Sequence, residues 1–101
     1  IISIPLLIVE SGTNRNAQLP IHVTSGGVNQ YGRADIAGND NSISRKHIEF
    51  SRIANKYFVK DLASKNGILL NGNTLGSTPT EINSGDRIKL GDIFLRFEFI
   101  L

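Results

Sequence analysis

Apolar residues recur at every second position in several short segments of this chain. In the segment 93–99 every odd-numbered residue is Ile, Leu or Phe, whereas Arg96 and Glu98 are charged. Alternation of this kind places one face of a β-strand in a core and the other in water. No window of a dozen residues carries a helical stripe, so the pattern predicts an all-β fold. Similar alternation occurs in the segments 19–23, 48–51, 57–60 and 88–90.

Gly and Asn residues occur repeatedly between these segments. Asn71-Gly72 separates two short apolar segments, and an Asn-Gly pair supplies the positive φ angles of a two-residue hairpin turn. Short strands at roughly ten-residue spacing with such turns indicate a sandwich or a barrel. The polar segments 11–16 and 37–42 are predicted to be mobile loops.

The composition excludes several classes of protein. The 101 residues include no Cys, which rules out a disulfide framework, a thiolate nucleophile and a Cys-ligated zinc site. The apolar segment 1–9 contains Pro5 and is too short to span a bilayer, so we interpret it as a buried strand with an irregular start. At this length we expect one domain over residues 1–101. Because the chain begins with Ile1 rather than Met, we expect a piece of a longer protein.

The charge distribution is more informative than its total. The net charge is +2, and the range 33–65 holds seven Lys or Arg against four Asp or Glu. The basic side of the molecule is therefore expected around this range, although a surplus of this size does not by itself argue for nucleic acid.

The most specific chemistry lies between two of the predicted strands. Ser44-Arg45-Lys46-His47 combines a hydroxyl, two cations and an imidazole, with Gly32-Arg33 before it and Asn66-Gly67 after it. These groups suit a tetrahedral dianion attached to an extended peptide. Arg and Lys neutralise the negative charge of the dianion, while the hydroxyl and the carboxamide supply further hydrogen bonds.

Five motifs in this order resemble the forkhead-associated (FHA) domain family. The resemblance implies a β-sandwich of about eleven mostly antiparallel strands, whose loops at one end bind phosphothreonine peptides in intracellular signalling. The motifs are Gly32-Arg33, Ser44-Arg45-Lys46-His47, Asp61-Leu62-Ala63-Ser64-Lys65-Asn66-Gly67, Asn71-Gly72 and Gly85-Asp86-Arg87-Ile88.

The resemblance assigns the phosphate to four side chains. Arg33 matches the arginine that pairs with two phosphate oxygens, and Ser44 matches the serine whose hydroxyl donates to the phosphate. Arg45 would be a second cation there. Lys65 stands where many members have Thr or Ser, and it could add a looser point charge. The alternatives are solvated surface cations and a Ser that merely closes its own turn.

Further residues are expected to serve the peptide backbone and the loops. Asn66 matches the asparagine that hydrogen-bonds the peptide beside the phosphothreonine, although Asn-Gly could simply form a turn. Gly32, His47 and Gly67 are expected to support the loops. The segment between Arg33 and Ser44 is short for the family and contains no basic residue, so the preference after the phosphothreonine is left open.

The same residues could also suggest a catalytic site. Ser44, His47 and Asp61 include the residue types of a nucleophile, base and orienting acid, but their spacing does not establish a triad and no nucleophile elbow surrounds the Ser. Two isolated histidines, His22 and His47, make no metal site. We therefore expect no enzyme activity, no metal and no cofactor.

Three functions remain to be separated. The first is binding of phosphothreonine-containing protein segments, by a domain that is monomeric in isolation and located in the nucleus or cytoplasm. The second is a degenerate FHA scaffold for phosphorylation-independent contacts or dimers. The third is a nucleic-acid-binding barrel using Tyr57 and Phe58, but most of the seven aromatic residues lie on predicted core faces. Direct contact with nucleic acid or membrane is not expected.

Overall fold

A computed structural model describes residues 4–12 and 14–100. This part of the chain forms ten strands and one single-turn helix, which follow one another with short connections. The strands are β1 (Ile4–Val9), β2 (Gln18–Pro20), β3 (Val28–Tyr31), β4 (Ile48–Ile53), β5 (Lys56–Asp61), β6 (Ile68–Leu70), β7 (Asn73–Thr74), β8 (Thr80–Ile82), β9 (Arg87–Leu90) and β10 (Ile93–Ile100), and the helix is α1 (Arg33–Ile36).

The strands form two antiparallel sheets that pack face to face. One sheet has six strands in the order β2-β1-β10-β9-β6-β7, and the other has four in the order β3-β4-β5-β8. The pairings of β1 with β10 and of β4 with β5 are the longest, with six residue pairs each, and the first places Leu7 opposite Phe97. The predicted all-β sandwich is therefore confirmed, with ten strands in the described residues where about eleven were expected.

The core lies between the two sheets and is built around aromatic rings. Phe50 of the four-stranded sheet and Phe97 of the six-stranded sheet are fully buried, and their ring centroids are 5.9 Å apart. Tyr31 packs edge-on against Phe50 at 5.8 Å, and Phe99 packs edge-on against Phe97 at 5.2 Å. Offset and edge-to-face arrangements of this kind add to the stabilisation that burial of the rings provides.

Alternation predicted the buried faces of most strands correctly. Ile48, Val59, Ile88 and Leu95 are all buried, as expected from their positions. The Asn71-Gly72 hairpin is also confirmed: φ is +50° at Asn71 and +85° at Gly72, and β6 and β7 pair on either side.

One segment differs from the sequence prediction, and a second forms the predicted loop with hydrogen bonds of its own. Alternation predicts a strand through 19–23, but β2 ends at Pro20. Proline has no N–H to donate to a neighbouring strand, which limits pairing at this point. Ile21 and Val23 are nevertheless buried, as the alternation predicts. The segment Ala37–Ser42, predicted to be a mobile loop, is held by backbone hydrogen bonds from Asp40 to Ala37 and from Ile43 to Asp40. Of the predicted first strand, residues 1–3 lie outside the described residues.

The sheets bring several turns together at one end of the sandwich. The connection from β3 through α1 to β4, the connection from β5 to β6 and the turn from β9 to β10 all lie there, as their mutual hydrogen bonds show. The described part of the chain contains no helix of the length and hydrophobicity needed to span a bilayer.

Candidate functional site

Three loops meet at this end of the sandwich. The first loop comprises residues 32–47, the second residues 62–67 and the third residues 91–92. Side-chain hydrogen bonds tie the first loop to both of the others. Lys65 N–H donates to Ser44 Oγ at 3.0 Å, and Asp92 N–H donates to Ser42 Oγ at 2.9 Å.

Gly32 places the start of the first loop against its end. A Cβ atom at this position would lie 1.9 Å from the carbonyl oxygen of Arg45, so no side chain fits without displacing the backbone. The N–H of Gly32 donates to the Asp35 carboxylate at 2.9 Å, which closes the first turn of α1. The close approach explains why glycine precedes Arg33.

Arg33 is tethered to the far side of the same loop. Its backbone N–H donates to Ser44 O at 3.0 Å, and its side-chain Nε donates to Ile43 O at 2.9 Å. A guanidinium has five N–H groups, so the Nε bond leaves the four terminal ones for other acceptors. Within residues 4–12 and 14–100, no group accepts from those terminal nitrogens. The side chain is half-buried, oriented and still able to bind an anion.

Ser44 connects the first loop to the second. Its hydroxyl oxygen accepts the hydrogen bond from Lys65 N–H, and its own backbone N–H donates to His47 Nδ1 at 3.1 Å. A hydroxyl that accepts one hydrogen bond keeps its proton for donation. Ser44 is thus fixed in position with a donor still available.

His47 is the only buried polar side chain among the described residues, and it bridges two loops. Nδ1 accepts from Ser44 N–H, and Nε2 lies 2.8 Å from the carbonyl oxygen of Gly67. Because Nδ1 accepts, the proton of a neutral ring is assigned to Nε2, which donates to Gly67. The backbone of His47 is also bonded on both sides, to Tyr31 O and from Leu62 N–H.

These contacts do not assemble a Ser-His-Asp triad. His47 meets the backbone N–H of Ser44, not its hydroxyl, and its second nitrogen is engaged with Gly67. Asp61 instead accepts from the backbone N–H of Ser64 at 3.2 Å. Neither the base nor the acid of the hypothetical triad is directed at a nucleophile. Residues 4–12 and 14–100 also contain no group of three or more His, Asp or Glu side chains suited to hold a metal ion.

Asn66 is exposed at the tip of the second loop and reaches the first loop. Its Nδ2 donates to the carbonyl oxygen of Ser42 at 2.9 Å. Its carboxamide oxygen accepts from no group in the part of the chain that the structure describes, and one amide proton also remains. The side chain can therefore brace the loops and still contact an extended peptide.

The segment from Asp40 to Ser42 forms a compact polar turn that sequence reasoning missed. Both the hydroxyl and the backbone N–H of Ser42 donate to Asp40 Oδ1, at 2.6 and 2.9 Å. These two hydrogen bonds lower the pKa of Asp40, against a small opposing effect of burial, and the charge of Arg33 lowers it further. Asp40 is accordingly a carboxylate at neutral pH.

Ser42 links all three loops and was not singled out from the sequence. It accepts from Asn66 and Asp92, and a Cβ atom at Gly91 would lie 2.3 Å from its carbonyl oxygen. The Asp-x-Ser spacing that starts at Asp40 was the one local signal for this turn. Its partners lie 24 and 50 residues away, which no local pattern indicates.

The other two residues predicted to bind the phosphate, Arg45 and Lys65, have few contacts with the loops. The side chains of Arg45 and Lys65 are exposed, and neither forms a hydrogen bond or ion pair within the described residues. Lys65 joins the cluster through its backbone, and Arg45 through its carbonyl against Gly32. The structure thus brings Arg33, Ser44 and the Lys65 backbone into direct contact, while the side chains of Arg45 and Lys65 are exposed to solvent.

Comparison with known proteins gives a consistent result. The family model described as the FHA domain matches residues 26–91, which is more than half of the chain. An oxoglutarate dehydrogenase inhibitor from Corynebacterium jeikeium is 30% identical over 92 residues, covering 91% of this chain and 62% of that protein. The chain therefore spans less than two thirds of this relative's length.

Solved structures resemble the whole fold. The FHA domain of an Arabidopsis thaliana hypothetical protein is 30% identical with a TM-score of 0.83, over 98% of this chain and 87% of that one. Mycobacterium tuberculosis EmbR, solved in complex with a low-affinity phosphopeptide, is 22% identical with a TM-score of 0.76. That match covers 95% of this chain and 24% of EmbR, and at this identity it shows the fold alone.

Proposed function

This chain belongs to the FHA domain family, and on that premise we propose that it recognises phosphothreonine in segments of partner proteins. Domains of this family are binding modules that recognise phosphorylated motifs through arginine clusters. The observation that carries the proposal is the state of Arg33. Two hydrogen bonds fix its position, and its terminal N–H groups are directed to no acceptor in the described part of the chain.

The neighbours of Arg33 have the donors that a phosphate needs. A phosphate brings a charge of roughly −1.5 to −2 and three acceptor oxygens. Arg33 supplies a planar pair of N–H donors, the Ser44 hydroxyl supplies a third donor, and Arg45 and Lys65 supply mobile positive charge. We assign the phosphate to these four residues.

The peptide backbone is assigned to Asn66. Its free carboxamide oxygen can accept from a peptide N–H, and its remaining amide proton can donate to a peptide carbonyl. Gly32, His47 and Gly67 act behind the site, by holding the first and second loops at a fixed separation. Preformed loops reduce the entropy cost of binding, which supports affinity from a small footprint.

Affinity then depends on the phosphate. Each charge-assisted hydrogen bond contributes about 1.5–3 kcal/mol, so three of them account for most of a dissociation constant of about 1 μM, which corresponds to about 8 kcal/mol. An unphosphorylated peptide leaves these donors to water and loses most of that free energy. Selection of phosphothreonine over phosphoserine is a family expectation that needs a niche for the extra methyl group.

The same proposal covers the biological setting. We expect a binding module without enzyme activity of its own, monomeric when isolated, whose partners are phosphorylated proteins and neither nucleic acid nor membrane. The relative from Corynebacterium jeikeium, which matches 91% of this chain, is bacterial and is named as an inhibitor of an enzyme. Bacteria have no nucleus, so this likeness favours the cytoplasm over the nucleus as the compartment.

The test is binding to a degenerate phosphothreonine peptide pool, beside phosphoserine and unphosphorylated pools. We expect selective retention of phosphothreonine peptides that is lost in Arg33→Ala. Lys56→Ala serves as the matched control, because this exposed cation lies at the β4–β5 turn and its removal changes the net charge equally. Equal retention of all three pools by a folded domain would contradict the proposal and favour the phosphorylation-independent scaffold.

A further inference from the structure

The outer face of the six-stranded sheet carries a groove that the phosphate site does not use. Leu69, Lys89 and Phe94 lie side by side on β6, β9 and β10, because Lys89 is the cross-strand partner of the other two. Asn71 and Arg87 extend the lining, and the groove has a volume of about 430 Å³. These five residues are called the outer groove.

The two apolar side chains of the outer groove lie on either side of Lys89. Phe94 is 49% exposed, Leu69 is half-buried, and the Lys89 ammonium lies 5.8 Å from the centroid of the Phe94 ring. Single apolar residues on a surface are ordinary, whereas a groove with an aromatic wall is typical of a contact site.

The charges along this face are compensated unevenly. Arg96 contacts Glu10 at 2.7 Å and Glu98 at 2.9 Å, so its charge is neutralised. Arg87 reaches Glu10 only at 3.8 Å, and its side chain is 70% exposed. Lys89 has no carboxylate partner within the described ranges 4–12 and 14–100. The outer groove thus combines two apolar side chains with two cations, and Lys89 lies between the apolar pair.

We propose that the outer groove binds a segment of a partner protein in which a bulky apolar side chain is flanked by Asp or Glu, independently of phosphorylation. The apolar side chain would cover Phe94 and Leu69, removing the exposed ring from water. The flanking carboxylates would pair with Arg87 and Lys89, and a guanidinium can hold a carboxylate through two parallel hydrogen bonds. Aromatic and arginine side chains are the groups that most often dominate binding energy at interfaces.

This surface adjoins the loops but shares no side chain with the phosphate site. None of its five side chains belongs to the three loops, and Arg87 starts β9 at the end opposite to Gly91. One partner could occupy both surfaces, or two partners could bind at once. The proposal for the outer groove therefore stands whether or not the phosphate site is functional.

The test begins with a displayed library of random unphosphorylated dodecapeptides, selected on the domain. We expect enrichment of peptides with Leu, Ile, Phe or Trp beside Asp or Glu, and amide shift changes in NMR at Leu69, Lys89 and Phe94. Phe94→Thr keeps a residue suited to a strand, and we expect it to weaken binding about thirtyfold, as for an interface hot spot. Ile53→Thr is the matched control and should leave binding unchanged.

Reversing the charges of the groove tests the predicted preference for acidic residues most directly. Arg87→Glu combined with Lys89→Glu should shift selection towards peptides with Lys or Arg beside the apolar residue. Arg33→Ala should leave the selected peptides bound, which separates this surface from the phosphate site. The proposal is overturned by a lack of enrichment, by enrichment without acidic residues, or by shift changes elsewhere. Sedimentation that reveals Phe94-dependent dimers would also overturn it, since the occupant would then be a second copy.

Discussion

Replacement of His47 by Ala tests whether the imidazole holds the binding loops together. The ring is fully buried and receives Ser44 N–H at 3.1 Å while Nε2 lies 2.8 Å from Gly67 O. Ala removes both contacts and leaves a cavity between the first and second loops. Two polar backbone groups would then lack their partners in a confined space.

The magnitude follows from these losses. A buried polar group without a partner costs about 1–3 kcal/mol, so the N–H of Ser44 and the carbonyl of Gly67 together would cost about 2–6 kcal/mol. Because both contacts are only partly buried, we expect the lower part of this range, about 2–4 kcal/mol. This is a large part of the total stability of about 5–15 kcal/mol that domains possess. With an m-value of about 1.5 kcal/mol/M, the urea midpoint falls by about 2 M.

The assay is urea unfolding monitored by far-UV circular dichroism, because the chain contains no tryptophan for fluorescence. His22→Ala serves as the matched control. His22 is exposed, so its substitution should change stability by no more than about 0.5 kcal/mol. A His47→Asn variant keeps an acceptor for Ser44 N–H and should recover part of the loss. If His47→Ala were as stable as His22→Ala, the bridging role of the imidazole would be wrong.

Three smaller perturbations test other parts of the site. Gly32→Ala should destabilise the domain by about 2–3 kcal/mol because its Cβ would overlap the Arg45 carbonyl, whereas Gly38→Ala has open space and should be neutral in the same urea titration. Asn66→Ala should weaken phosphopeptide binding about tenfold by calorimetry while costing about 1 kcal/mol of stability, and unchanged affinity would contradict its assignment to the peptide. Asp40 has a lowered folded pKa, so its stabilisation is present above its unfolded pKa of about 4 and is lost as the pH falls through the folded value. Asp40→Asn should therefore flatten the acid limb of stability against pH, and an unchanged limb would show that its hydrogen bonds to Ser42 do not stabilise the fold.

The sequence predicts the sheets better than the loops, and the physical reason is the range of the interactions. Alternation over 93–99 is a local pattern, and the two faces of β10 follow from it directly. The helix α1 has only four residues, which is too short for a helical stripe to appear. It forms because Asp35 closes the turn on Gly32, a contact that composition does not reveal.

In the candidate site, too, local motifs are predictable from the sequence and long-range contacts are not. The family resemblance singles out Arg33, Ser44 and Asn66, and all three lie in the loops at one end of the sandwich. Their assignment to a phosphopeptide stays a prediction. Ser42 was overlooked because its importance depends on partners in two distant loops. The outer groove was also overlooked, since it requires the strand order β10-β9-β6, which places Leu69 beside residues about twenty positions later in the chain.

The most direct test of the central claim is an NMR titration of the labelled domain with one phosphothreonine peptide taken from the selected pool. We predict amide shift changes confined to the first and second loops, centred on Arg33, Ser44 and Asn66, with saturation near micromolar concentrations. The same peptide carrying unmodified Thr should cause no changes at these concentrations. Shift changes centred elsewhere, or equal changes with both peptides, would contradict the assignment of these loops to the phosphate.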